Sequence, residues 1–390
     1  MTSFQVGRPP AIVFGAGSRT RIPEIAASYG RRLLLVTGAR SLAASPYWTA
    51  LADAMGERKL AWVRVEVSAE PSPDVVDAAV AEHRGASIDA VVGIGGGSAL
   101  DAAKAIAGLL RTGRAVLDHL EDVGRGVPYE GPAVPWIAVP TTAGTGSEAT
   151  RNAVLSVRGP AGFKKSFRDD RLVARVAVVD PDLLSTCPPP LVAADGMDAL
   201  TQLLESYTSR RASPYTDALC ESGLGAVRDG LLPWHSGEGD VSDARAHMAY
   251  AALLSGITLA QAGLGAVHGF AQPLGAVSDA PHGVVCGALL APATAANVRG
   301  LRAQDPGGPA LAKYARACGI LAPDRPPTAE ALVGLLEDWT RRLGIPRLSA
   351  WGVSSDDVPR IVAGSRTNSM RSNPADLSDA DLAAILAAAM

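Results

Sequence analysis

The stretch Ala90-Val-Val-Gly-Ile-Gly-Gly-Gly-Ser98 reads as a short buried strand that runs into a glycine turn, and Ala99–Leu110 continues it as a helix. Three consecutive glycines let backbone N–H groups approach a ligand closely, and a helix N-terminus favours an anion. By mechanism this is a pyrophosphate cradle, although the spacing is not GxGxxG and a tight structural turn would use the same residues. The flanking pattern extends the unit. Residues 11–14, 32–37 and 61–67 are apolar, strand-like runs, and helices are expected over 21–29, 47–55 and 75–84. Arg32-Leu-Leu-Leu-Val-Thr37 is a continuous apolar run, as parallel strands buried on both faces require. Strands alternating with helices argue an α/β unit, a parallel sheet covered on both sides. Trp136-Ile-Ala-Val139 is a further strand, and it feeds a second polar turn, Pro140-Thr-Thr-Ala-Gly-Thr-Gly-Ser147. Two such loops at strand ends suit a dinucleotide bound along the C-terminal edge of the sheet.

Residues 151–182 carry strands at 153–157 and 176–179, with the basic stretch Phe163-Lys-Lys-Ser-Phe-Arg168 between them. That stretch reads either as a solvated hairpin or as a segment from which Lys164 reaches the nucleotide. Beyond Pro188-Pro-Pro190 the chain changes character and becomes Ala/Leu-rich and helical. We place a domain boundary near residue 184, giving a nucleotide-binding unit at 1–184 and a helical unit at 185–390. Helices are expected over 214–229, 241–261, 284–299, 308–318, 328–343 and 378–389, the last capped by Ser378. Ala193-Ala-Asp-Gly-Met-Asp-Ala-Leu-Thr-Gln-Leu-Leu-Glu205 predicts a helix starting near Gly196, with Asp195 as its cap. Asp198 and Gln202, four apart, share one face, and Glu205 follows three residues on. His268 and His282 stand in apolar, glycine-rich surroundings. A carboxylate and two imidazoles from separate segments are a workable set for a divalent metal.

Of 390 residues, 47% are hydrophobic and 19% charged, enough for a large core and two domains. A net charge of −3 gives no electrostatic reason to expect a nucleic-acid or membrane-surface partner. Cys187, Cys220, Cys286 and Cys318 are scattered without a CxxC pair, as in a reduced cytoplasmic protein. The first residues lack the basic-then-apolar order of a signal peptide, and no apolar run is long enough and free enough of glycine to span a bilayer.

Six segments, in this order along the chain, carry a specific resemblance. They are Gly95-Gly-Gly-Ser-Ala-Leu-Asp-Ala-Ala-Lys104, Pro140-Thr-Thr-Ala-Gly-Thr-Gly-Ser-Glu148, Asp180-Pro-Asp-Leu183, Gly196-Met-Asp-Ala-Leu-Thr201, Val267-His-Gly269 and Ala280-Pro-His-Gly283. From about residue 10 to the C-terminus the sequence resembles the iron-containing (group III) alcohol dehydrogenases, of the dehydroquinate synthase-like superfamily. The resemblance implies an N-terminal Rossmann-like α/β domain, an all-α C-terminal domain, and an active site in the cleft. It implies that Gly95, Gly96, Gly97, Ser98 and Asp101 hold the pyrophosphate, and that Thr141, Thr142, Thr145, Thr150, Asn152 and Lys164 bind the rest of an NAD or NADP molecule. It makes Asp198, His268 and His282 the catalytic metal ligands for Fe(II) or Zn(II). Two positions depart from the family pattern: Gln202 stands where a second helix histidine is usual, and Gln272 where a histidine of the proton relay is common. Gln202 is then a weaker, neutral fourth donor, and proton transfer falls to water and the cofactor ribose. Gly38, at the end of the second strand, stands where members that prefer NADH carry an Asp, so NADPH is expected to be accepted, with Arg40 or Ser41 near its 2′-phosphate.

The expected activity is interconversion of a small alcohol with its aldehyde or ketone, running as a reductase in a homodimer. Gln202 keeps open a metal-free NAD(P)H reductase of the maleylacetate reductase type. A cyclase of the dehydroquinate synthase kind would need a basic cluster for a phosphate near the metal, and none is found. A non-catalytic nucleotide-binding module leaves Asp198 and both histidines without a role. Buried histidines are more often hydrogen-bonded core residues than ligands, and only the family context reverses that for His268 and His282. Glu205 is expected to make structural hydrogen bonds. The cysteines are expected to pack, with Cys286 near enough to His282 to matter. His83, His119, His235 and His247 are assigned no chemistry.

Overall fold

A computed structural model describes residues 3–39, 42, 45–159 and 162–390. Six strands form one sheet: β1 (Ala11–Phe14), β2 (Arg32–Gly38), β3 (Ala61–Val67), β4 (Ala90–Gly95), β5 (Trp136–Pro140) and, after a two-stranded excursion, β8 (Val176–Val179). Their order is β1-β8-β5-β4-β2-β3, and every pairing is parallel. The central strands β4 and β5 are buried along their whole length, which is why they read as unbroken apolar runs. Helices α1 (Ile22–Ala27), α2 (Tyr47–Glu57), α3 (Pro73–His83) and α4 (Gly97–Leu109) make the crossovers. β2 pairs with β3 on one side and β4 on the other, so the chain reverses direction across the sheet between them. The crevice at that reversal, outside the strand C-termini, is where such sheets bind ligands.

Residues 152–168 form an antiparallel hairpin of β6 (Asn152–Val157) and β7 (Phe163–Arg168). It is not simply solvated, because Ser166 and Phe167 are buried.

The rest is helical: α5 (Pro189–Thr208), α6 (Pro214–Ser236), α7 (Ser242–Ala262), α8 (Ala266–Val277), α9 (His282–Gln304), α10 (Pro309–Leu321), α11 (Ala329–Arg342), α12 (Val358–Gly364), α13 (Asn368–Arg371) and α14 (Asp379–Ala389). Ser378 caps α14 through a reciprocal bond with Asp381. α5 departs from expectation. It begins seven residues before Gly196, at Pro189, because proline is suited to a first helical turn, so Asp195 lies inside the helix and caps nothing. Gly196 is needed within it because a Cβ there would stand 2.2 Å from Leu231 Cδ1 on α6. α8 was not expected as a helix. Its glycines and Pro273 lower intrinsic propensity, but Gly269 lets the helix press against Ser365 and Met370, and packing outweighs propensity. α9 is long and apolar enough to cross a bilayer, yet most of it is buried against α5, α8, α11 and α14.

Candidate active site

Asp198 sits in the middle of α5 and is fully buried. His268 lies in the first turn of α8, and His282 is the first residue of α9. Three helices therefore bring together residues 84 positions apart in sequence at the extremes. His268 Nε2 is 3.3 Å and His282 Nε2 is 3.6 Å from Asp198 Oδ1. Cys286, one turn after His282 on α9, joins them, and its Sγ lies 3.8 Å from each Nε2. One donor atom from each of Asp198, His268, His282 and Cys286 falls within 4.8 Å of all the others.

Asp198 Oδ1 is buried with no hydrogen-bond partner. An ionised carboxylate oxygen in that state is costly unless a cation faces it. Burial pushes the Asp198 pKa up, but His282 and His268 outweigh it and hold the group at about 2, so it is an anion at neutral pH. Burial pulls His282 down to about 4 in spite of Asp198, leaving a neutral imidazole. Burial also disfavours charge on His268, yet Cys286, Asp198 and Glu205 hold its pKa well above the ordinary value.

Glu205, two turns along α5 from Asp198, accepts from Val267 N–H at 2.7 Å and from His268 Nδ1 at 2.7 Å. A carboxylate accepting at Nδ1 leaves Nε2 to face Asp198, the arrangement by which an acidic partner orients a metal-binding histidine. Gln202 Oε1 takes the Ser255 hydroxyl at 2.8 Å, which occupies one of its two acceptor positions, and the Cys286 sulfur is a further donor atom beside the histidines. A small cavity opens beside this cluster, lined by His282, Val285, Gly275, Ser278, Glu70 and Lys164. Lys164 Nζ donates to Glu70 Oε1 at 2.5 Å on its wall.

The two polar loops meet at the sheet edge. A Cβ on Gly96 would lie 3.2 Å from Thr142 Cγ2, and one on Gly97 would lie 2.9 Å from Thr145 Oγ1. No side chain fits between the loops, and the bare backbone at the start of α4, which has no side-chain cap, is what an approaching pyrophosphate needs. Gly38 ends β2 next to this turn: a Cβ on Gly95 would come 3.2 Å from Gly38 N. Gly146 adopts a left-handed φ of 59° and packs on Gly256 of α7, fixing the second loop to the helical half.

Two residues expected at the nucleotide, Asp101 and Thr150, turn toward a buried lysine, and a third, Asn152, gives it its backbone carbonyl. Lys104 is fully buried, and its Nζ donates to Thr150 Oγ1 at 2.8 Å, Ser147 Oγ at 3.0 Å and the Asn152 carbonyl at 2.5 Å. Asp101 accepts from Ser147 Oγ at 2.5 Å and Val154 N–H at 3.1 Å. Asp101, Thr150 and the Asn152 backbone thus brace the loops around a buried ammonium, which needs them as acceptors. The sequence signal for this was a lysine inside the otherwise apolar run Ala102–Leu109. Thr141 is buried and Ser98 lies in the first turn of α4. Arg40 and Ser41 lie outside the described residues, but Arg64 on β3 donates to Thr37 Oγ1 at 2.8 Å and puts a cation near the end of β2.

The model of the iron-containing alcohol dehydrogenases matches residues 9–181, and that of the C-terminal region of the Fe-containing alcohol dehydrogenase family matches residues 192–390. The chain is 31% identical to an NAD-dependent methanol dehydrogenase of Bacillus methanolicus over 99% of both chains. It is 32% identical to a 1-propanol dehydrogenase of Citrobacter freundii over 85% of this chain and 86% of the relative. A sulfoacetaldehyde reductase of Bifidobacterium kashiwanohense, solved in complex with NAD+, superposes with a TM-score of 0.85 at 27% identity, covering 100% of this chain and 99% of that one. A parallel sheet with a glycine cradle, a helical half with a buried donor cluster, and matches to both halves agree: the chain is an NAD-dependent alcohol dehydrogenase and belongs to the iron-containing alcohol dehydrogenase family.

Proposed function

We propose that this chain reduces a small aldehyde or ketone to its alcohol with NAD(P)H, using a divalent metal, Fe(II) or Zn(II), held by Asp198, His268 and His282. The observation that carries this is the buried, unpartnered Asp198 Oδ1 facing two imidazole nitrogens. The donors fit such an ion: one anion, one neutral imidazole, and one imidazole whose Nδ1 is occupied by Glu205. When bound, the metal supplies Lewis acidity at a carbonyl oxygen and the nicotinamide supplies the hydride. The chain's residues do the positioning. Gly96 and Gly97 with Thr142 and Thr145 hold the dinucleotide along the sheet edge, and the small cavity beside His282 marks the side from which a substrate would approach. Glu70 steadies Lys164 on that cavity wall. Gln272 is neutral and offers no proton, which would then have to come from water or from the bound cofactor.

The finer parts of this reading are a nucleotide-binding domain at 1–184 and a helical domain at 185–390, acceptance of NADPH, and a cytoplasmic homodimer. NADPH fits because no carboxylate stands at Gly38. Unpaired cysteines suit the reducing cytoplasm. The open edge of β1, with Ile12 and Phe14 exposed, offers a surface for a second copy. Metal analysis with kinetics on His268→Ala and His282→Ala tests the core of the proposal. Both variants are expected to lose metal and most turnover while keeping the circular-dichroism spectrum of the wild type. Full turnover in both would overturn it. The engagement of Gln202 by Ser255 favours the metal-free reductase as a second reading, and activity that survives exhaustive chelation would establish that one instead.

A further inference from the structure

We infer that Cys286 is the fourth metal donor of this site and that the resulting set of one oxygen, two nitrogens and one sulfur selects Zn(II) over Fe(II). This rests on the metal-site reading above and adds to it a ligand that replaces the family's second helix histidine. His282 and Cys286 are four apart on α9 and so lie on one helix face. The spacing of the four atoms is the main argument. Ligands about a tetrahedral zinc, at roughly 2.0–2.3 Å from the ion, stand roughly 3.3–3.6 Å from one another. The separations here are 3.3 Å and 3.6 Å from Asp198 Oδ1 to the two histidines, and 3.8 Å from Cys286 Sγ to each of them. They approach the edges of one coordination tetrahedron.

The same contacts are weak as hydrogen bonds. Cys286 Sγ stands near the long limit of a sulfur hydrogen bond from both imidazoles, and Asp198 Oδ1 has no hydrogen bond of ordinary geometry. A packing role would set the sulfur among apolar groups, yet it faces a carboxylate and two ring nitrogens. Gln202 is a neutral, weaker donor whose Oε1 already accepts from Ser255. A thiolate is a soft donor that favours zinc, whereas the all-oxygen-and-nitrogen set of the family pattern lacks that preference.

The test is Co(II) substitution of the full chain after chelation, followed by anaerobic competition between Zn(II) and Fe(II). Co(II) bound to wild type is expected to show an intense sulfur-to-metal charge-transfer band in the near ultraviolet and strong visible bands of tetrahedral geometry. Cys286→Ser is expected to lose the charge-transfer band, to bind Zn(II) about 10–100-fold more weakly, the size of effect known even for outer-shell changes, and to narrow its preference for Zn(II) over Fe(II). The wild-type spectrum decides the matter even should the variant fail to fold. Co(II) bound without the sulfur band would overturn Cys286 as a donor and leave the three-residue site standing. No binding of Co(II) or Zn(II) to wild type would overturn both.

Discussion

Glu205→Gln isolates the residue that orients His268 without touching any donor atom. In the wild type one carboxylate accepts two N–H groups, from Val267 and from His268 Nδ1, each at 2.7 Å. An amide cannot do both. If its oxygen stays on Val267 N–H, its NH2 faces Nδ1, the ring proton moves to Nε2, and that nitrogen no longer donates to a metal. If the amide turns over, His268 keeps its tautomer but the buried Val267 N–H loses its acceptor, at about 1–3 kcal/mol. In the first case metal affinity should fall about 10–100-fold, equivalent to ~1.4–2.7 kcal/mol. In the second, urea unfolding of the metal-free protein should show the loss of stability. Titration of metal-free protein with Zn(II) against a chromophoric chelator reads the first quantity. Unchanged zinc affinity together with a stability change under about 0.5 kcal/mol, the usual scatter of surface substitutions, would refute this account of Glu205.

Glu148 is buried, and burial, against some relief from Lys104, raises its pKa from 4.5 to about 7. Between those values the native state keeps a proton that the unfolded chain has lost, so stability falls as pH rises through that window, by at most about 3 kcal/mol. Glu148→Gln should remove this slope and be the more stable protein at pH 8; equal slopes for variant and wild type in urea unfolding from pH 5 to 8 would count against it. Gly97→Ala puts a Cβ 2.9 Å from Thr145 Oγ1, so NAD(P)H affinity should drop about tenfold or more, as overpacking of about 1–3 kcal/mol implies, with zinc affinity unchanged. Calorimetric titration showing wild-type cofactor affinity would mean that the dinucleotide does not use this turn. Gly38→Asp should shift the ratio of kcat/KM values towards NADH, since a carboxylate there repels a 2′-phosphate. Strong discrimination against NADPH already present in the wild type would sink that expectation.

The elements of the sheet were legible because their signals are local: an apolar run followed by glycine reads the same in isolation as in the folded chain. The family motifs singled out Asp198, His268 and His282, and the structure brings their donor atoms together. The helical half was less legible. α8 carries His268 through a glycine- and proline-rich stretch that forms a helix only because its neighbours accept a close approach, and α5 starts at a proline pair that looks like a break.

The parallel sheet and the two loops at its strand ends follow from the sequence by itself, since strands alternating with helices call for parallel crossovers; the order of the strands, with β1 on the edge beside β8, is decided by the tertiary structure. Which polar residues face the ligand is decided there too. Asp101 and Thr150 sit in the right motifs but turn onto Lys104, because a buried ammonium needs acceptors both from its own helix and from the loop 43–48 residues on. Gln202 shares a helix face with Asp198, and only the packing of α7 brings Ser255 to its amide oxygen. Cys286 looked like packing until α5, α8 and α9 closed around it. Residue type and spacing limit which atoms can serve as donors; the competition among buried polar groups for partners, settled only when helices pack, decides which of them do.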